Sequence, residues 1–74
     1  MNELVDELKR VCAAASNGNR VVTMHLFAIE HAAKLKGVSL KDLASRAGIG
    51  ESFATELSKG VRLANYVQIT SRPE

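Results

Sequence analysis

The chain has 74 residues, 46% hydrophobic and 24% charged, with ten Lys and Arg against eight Asp and Glu for a formal charge of +2. This is the composition of a foldable chain rather than a disordered one, and its length suits a single domain (1–74) that buries only about 60% of its unfolded surface. The sole cysteine, Cys12, excludes an intrachain disulfide and a CxxC metal clip, and no apolar run approaches the roughly 18 residues of a membrane span.

Glu3, Asp6 and Glu7 stand where a signal peptide would carry basic residues, so no targeting signal is expected there and a cytoplasmic location is. Leu4, Leu8, Val11 and Ala15 recur at spacings of three and four, with Val5 and Cys12 beside them, which predicts an amphipathic helix over about Glu3 to Ala15. Asp6 precedes Arg10 by four residues, a pairing expected on the wet side. The run Ser16-Asn17-Gly18-Asn19 stops this helix with turn-tolerant residues.

Val21 and Val22 are β-branched, so Arg20 to Thr23 reads as a short extended segment, with Thr23 capping the next helix. From Met24 to Lys36, one face carries Met24, Phe27, Ala28, His31, Ala32 and Leu35, while Leu26, Ile29 and Ala33 lie away from it. A helix apolar on two sides is either central to the fold or part of a dimer contact. Gly37 ends it as a C-terminal cap.

Ser39-Leu40-Lys41-Asp42 supplies a capping hydroxyl and, three residues later, an acid for the positive helix end. Leu40, Leu43, Ala44 and Ala47 form the buried edge of the short helix that follows. Ala44 is small where a second helix must cross, and Gly48 supplies the positive φ of a tight turn. Ile49 plugs that turn, Gly50 starts a second helix, and Phe53, Ala54 and Leu57 face inward before Lys59 and Gly60 close it. A small residue at the crossing, a glycine four residues later and an apolar residue after it meet the steric needs of a helix-turn-helix over residues 39–60. The fold class is therefore mostly α, a small helix-turn-helix domain of four or five helices.

The segment Leu43-Ala44-Ser45-Arg46-Ala47-Gly48-Ile49-Gly50, continuing through Ser52 to Leu57 and Gly60-Val61, resembles the helix-turn-helix of the phage lambda repressor and Cro-like family. The likeness covers about a third of the chain. It implies that Leu40 to Ala47 is the positioning helix and Glu51 to Lys59 the recognition helix of the major groove. It also implies that Gly50, Glu51, Ser52, Thr55, Glu56 and Lys59 face DNA. Two acids on that face are a departure from what a polyanion favours, although a glutamate can accept a hydrogen bond from the cytosine amino group.

In such a domain cations placed against phosphates supply affinity, and a few side chains at base edges supply sequence choice. Lys41 and Arg46 flank the first helix of the motif and Lys59 and Arg62 follow the second, positions from which they can reach the DNA backbone. Ser52 and Thr55 are candidates for hydrogen bonds to bases or phosphates, and Glu51 for base readout. One recognition helix reads only a few base pairs, which implies a homodimer on double-stranded DNA. Helix one, or the second apolar side of Met24 to Lys36, would supply the dimer contact. Tyr66-Val67-Gln68-Ile69-Thr70 alternates as a short strand would, and residues 20–22 can pair with 66–70 as a two-stranded β ribbon. Ser71 to Glu74 reads as a frayed tail.

No cofactor or metal is called for. Gly48-Ile49-Gly50 lacks the third glycine and the preceding strand of a dinucleotide fingerprint. His25 and His31, six apart, lie on different sides of a helix with no HExxH or cysteine partner for zinc. No nucleophile elbow accompanies the Ser, His and Asp residues, so catalysis is not expected. The reading that follows is a repressor-like transcriptional regulator. The alternative is an adaptor or antiactivator that uses the same fold to bind a protein through Glu51 and Glu56.

Overall fold

The computed structural model describes residues 2–15 and 18–69. Among them the chain is all-helical: α1 (Asn2–Ala14), α2 (Arg20–Glu30), α3 (Ala32–Leu35), α4 (Leu40–Arg46), a 3-10 turn (Glu51–Phe53) and α5 (Ala54–Leu63). The core is built from Leu4, Val5, Leu8 and Cys12 of α1, Met24, Phe27 and Ala28 of α2, Leu35 of α3, Leu43 and Ala44 of α4, and Leu57 of α5, with Ala47 and Ala54 at its edge. Helix α1 packs across α2 and α4, and the most extensive interface joins α2 to α5.

The helix-one pattern is found where the apolar spacing puts it, and burial pushes the Cys12 thiol upward. The expected Asp6–Arg10 pair is replaced by Glu7, whose carboxylate takes the Arg10 Nε at 3.0 Å one turn earlier. Three residues of separation bring these two long side chains together as well as four would.

Residues 20–23 are not extended. The Asn19 carbonyl accepts from the Thr23 N–H at 2.9 Å, so the helix begins at Arg20 and Thr23 lies within its first turn rather than capping it. Val21 and Val22 are both exposed there. The helical penalty of a β-branched residue is only about 0.5 kcal/mol, too small to stop a helix anchored one turn later by Met24, Phe27 and Ala28. The β ribbon is lost with it: 20–22 are helical, no strand occurs among the described residues, and Thr70 lies outside them. Ser16, Asn17 and the tail Ser71–Glu74 also lie outside.

The helix expected from Met24 to Lys36 breaks at His31, where φ and ψ are −105° and 17°. The chain restarts as α3 with the Leu35 N–H on the His31 carbonyl at 3.0 Å. The His31 ring tilts against Phe27 with centroids 4.7 Å apart. Its Nε2 is buried and finds no hydrogen-bond partner among the described residues, the Glu30 carboxylate standing 3.7 Å away. Burial holds this imidazole below the ordinary histidine value. The unfolded chain therefore takes up a proton that the folded chain resists. The stability His31 contributes is full above the ordinary histidine range near about pH 6.5 and is lost as pH falls through the folded value. The melting temperature is expected to drop on going from about pH 7.5 to pH 5, and His31→Leu to flatten that drop. An equal drop in both proteins would assign it to other groups.

Gly37, at φ 78°, turns the chain out of α3, and Val38 donates back to the Leu35 carbonyl at 3.1 Å. That turn delivers Ser39 to the start of α4.

Candidate nucleic-acid interface

Helix α4 starts as its sequence requires: the Ser39 Oγ accepts from the Asp42 N–H at 3.2 Å. It ends in a Schellman turn. The Gly48 N–H reaches the Ser45 carbonyl at 3.0 Å and the Ile49 N–H reaches the Ala44 carbonyl at 3.2 Å. This double closure needs the left-handed backbone that Gly48 adopts at φ 75°. Ile49 then packs half-buried on the core beside Leu40 and Phe53. Gly50 also has positive φ, and it leads into the 3-10 turn Glu51–Phe53 rather than directly into an α-helix. The α-helical part of the second arm begins at Ala54.

Gly60 does not end that arm. Helix α5 continues to Leu63, and Gly60 is buried inside it at the crossing with α2. A β-carbon built on Gly60 would lie 2.5 Å from the Ala28 Cβ and 2.8 Å from the His25 carbonyl oxygen. The glycine is thus required by close approach of two helices and not by a cap. That approach fixes which side of α5 is left open.

The open side carries Thr55, Lys59 and Arg62, all exposed and spaced three or four apart. Across from it stands the start of α4. Together Ser39, Leu40 and Lys41 with Ala54, Thr55, Ser58, Lys59 and Arg62 line an open groove of about 500 Å³. Four of the residues expected to meet DNA, Lys41, Thr55, Lys59 and Arg62, are therefore brought into one groove. Gly50, Glu51 and Ser52 are exposed in the turn and do not line it. Arg46 is exposed at the far end of α4, with its Nε 3.2 Å from Asp42.

Glu56, expected to face outward, is half-buried. Its Oε1 lies 2.8 Å from the Nε2 of His25 on α2, and its Oε2 lies 3.5 Å from the Lys59 Nζ. The hydrogen bond to His25, and then the neighbouring Lys59, hold this carboxyl below its ordinary range. Lys41 and Arg62, by contrast, have no ion-pair partner among the described residues, so the groove retains open positive charge at two of its corners. Its hydroxyls from Ser39, Thr55 and Ser58 can donate or accept.

Sequence spacing alone could have supplied Ser58, which is three residues after Thr55 and four before Arg62 on the same helical face. No spacing points to His25, 31 residues from Glu56.

A helix-turn-helix geometry of this kind agrees with a profile match over nearly the whole chain. Residues 1–70 match the family described as the HTH-like domain. The chain belongs to the HTH-like domain family. No curated protein and no solved structure matches it. The family assignment covers the helix-turn-helix; the lambda repressor and Cro-like subgroup is a narrower reading. Helix-turn-helix membership makes DNA the ligand class to consider, and no helix of the described residues is long and apolar enough to cross a membrane.

Proposed function

We propose that this HTH-like domain is a non-catalytic, sequence-specific DNA-binding regulator of transcription, repressor-like and close in action to the lambda repressor and Cro-like proteins. It acts as one domain in the cytoplasm. The 3-10 turn and α5 enter the major groove. Lys41, Lys59 and Arg62 meet phosphates on either side, with Arg46 as an outer contact, while Glu51, Ser52 and Thr55 reach base edges. The observation that carries this reading is the groove in which Lys41 and Arg62, two cations with no ion-pair partner among the described residues, flank the hydroxyls of α5. A surface of that composition suits a phosphate backbone, because neutralising phosphates releases condensed counterions.

The protein binds as a homodimer in this reading. A chain of 29 × 28 × 20 Å is small enough for two copies to stand side by side with recognition helices one DNA turn, about 34 Å, apart. Leu26, exposed on α2, belongs to the second apolar side from which a dimer contact would be drawn, and Val22 is exposed one turn before it.

The test is a fluorescence titration with duplexes tiled over the region upstream of its own gene, in parallel with shuffled duplexes. The expected result is one segment bound at least about a thousandfold more tightly than the rest. Equal or absent binding throughout would contradict it. A second reading, a protein-binding adaptor or antiactivator, is favoured by the exposed Glu51 and by the pairing of Arg46 with Asp42. It predicts that Glu51→Lys abolishes function and Lys59→Ala does not.

A further inference from the structure

The acid in the first turn of α5 is the puzzle of this surface. Glu56 sits one turn before Lys59 and Gly60, at the edge of the stripe offered to the polyanion. A free carboxylate there would repel phosphate and would also compete for the Lys59 ammonium.

The geometry points to His25 as a positioning residue that draws this acid toward α2 and so loosens its hold on Lys59, easing the transfer of that lysine to phosphate. The inference rests on the DNA-binding reading above. Three observations carry it. The His25 Nε2 holds the Glu56 Oε1 at 2.8 Å, closer than the 3.5 Å from Oε2 to the Lys59 Nζ, so the carboxylate is shared between the two partners with its shorter contact to α2. The Glu56 side chain is 23% exposed while that of Lys59 is 56% exposed, so the acid is drawn in and the cation is left out. The contact is also placed rigidly. The close approach of the His25 backbone to the Gly60 position fixes the spacing of α2 and α5 from which the imidazole reaches Glu56.

Without the imidazole, Glu56 has one remaining partner three residues along its own helix, Lys59. The lysine would then be occupied before DNA arrives. With the imidazole present, the carboxylate has a second partner on α2 at 2.8 Å. The charged groups acting on Glu56 are His25 and Lys59, while α1 and α3 direct Glu7 and Lys34 toward His31.

The experiment is a double-substitution cycle on the full chain, read as affinity for a labelled random-sequence duplex, with far-UV spectra checking that each variant is folded. His25→Ala is expected to weaken binding about threefold, the scale of one surface ion pair, and Glu56→Gln to strengthen it by about as much. His25→Ala in the Glu56→Gln background should change nothing. The logarithmic salt slope should fall by up to about 0.9 in His25→Ala and return in the double variant, because one phosphate contact is lost and regained. Wild-type binding combined with an equal loss from His25→Ala in both backgrounds would overturn the inference and leave the DNA-binding reading standing. Failure of the wild type to bind any duplex would overturn both.

Discussion

Gly60→Ala is expected to lower the melting temperature by about 10–20 °C, the equivalent of about 2–3 kcal/mol in a domain of this size. The direction is opposite to what an isolated helix would show, where replacing an interior glycine with alanine gains about 1 kcal/mol. The difference lies in what the new methyl meets. One neighbour, the Ala28 Cβ at 2.5 Å, is too short to swing aside, and the others, the His25 carbonyl oxygen at 2.8 Å and Cα at 3.2 Å, are backbone. Helix α2 must move off α5, opening the interface around Leu57 and Ala28, both fully buried. The separation would also stretch the His25–Glu56 contact. Ala28→Gly in the same chain should recover part of the loss by clearing the nearest atom. Thermal and urea denaturation measure both effects. A variant as stable as the wild type, or more so, would mean that α2 and α5 do not cross at this distance.

Removing the two groove cations of α5 should have the largest effect on binding. Lys59→Ala and Arg62→Ala are each expected to weaken affinity for every duplex alike, and each to reduce the logarithmic salt slope by about 0.9. Together they should cost more than tenfold at about 0.1 M salt while leaving sequence preference in place, because phosphate contacts carry no base information. Arg62 should contribute the larger share. It has no ion-pair partner among the described residues, whereas Lys59 starts within 3.5 Å of Glu56 and must give up that contact. Arg46 is expected to matter less, since it is held by Asp42 at 3.2 Å on the outer side of α4. Titrations at three salt concentrations with two unrelated duplexes separate these effects. A change in sequence preference with an unchanged salt slope would reassign these side chains from phosphates to bases.

What could be read from the sequence was what is decided locally. The Ser39 cap, the φ of Gly48 and the inward set Leu43, Ala44, Ala54 and Leu57 follow from short-range rules, in which each residue's role depends on neighbours within a turn or two. The errors arose where distant parts of the chain decide. Val21 and Val22 were read by propensity as extended, yet they continue a helix anchored by Met24 and Phe27 in the core. His31 breaks the helix expected from Met24 to Lys36, with φ −105° and ψ 17°, a break that the apolar spacing on one face does not signal. Gly60 has the signature of a helix end, and only the proximity of Ala28 reveals it as a crossing residue.

The same division holds at the site. Lys41, Thr55, Lys59 and Arg62 share one groove, a placement that position around the motif anticipates because it sets their exposure. Glu56 was misread as outward-facing for the reason that hid His25: a contact across 31 residues of sequence has no local signature.

The most direct test of the account is a backbone amide NMR titration of the labelled protein with duplex DNA. The account predicts shifts concentrated in Ser39 to Lys41, Gly50 to Thr55, and Ser58 to Arg62, with Leu4 to Cys12 of α1 unchanged. Shifts gathered instead on Val22 and Leu26 of α2, with the groove silent at low salt, would contradict it.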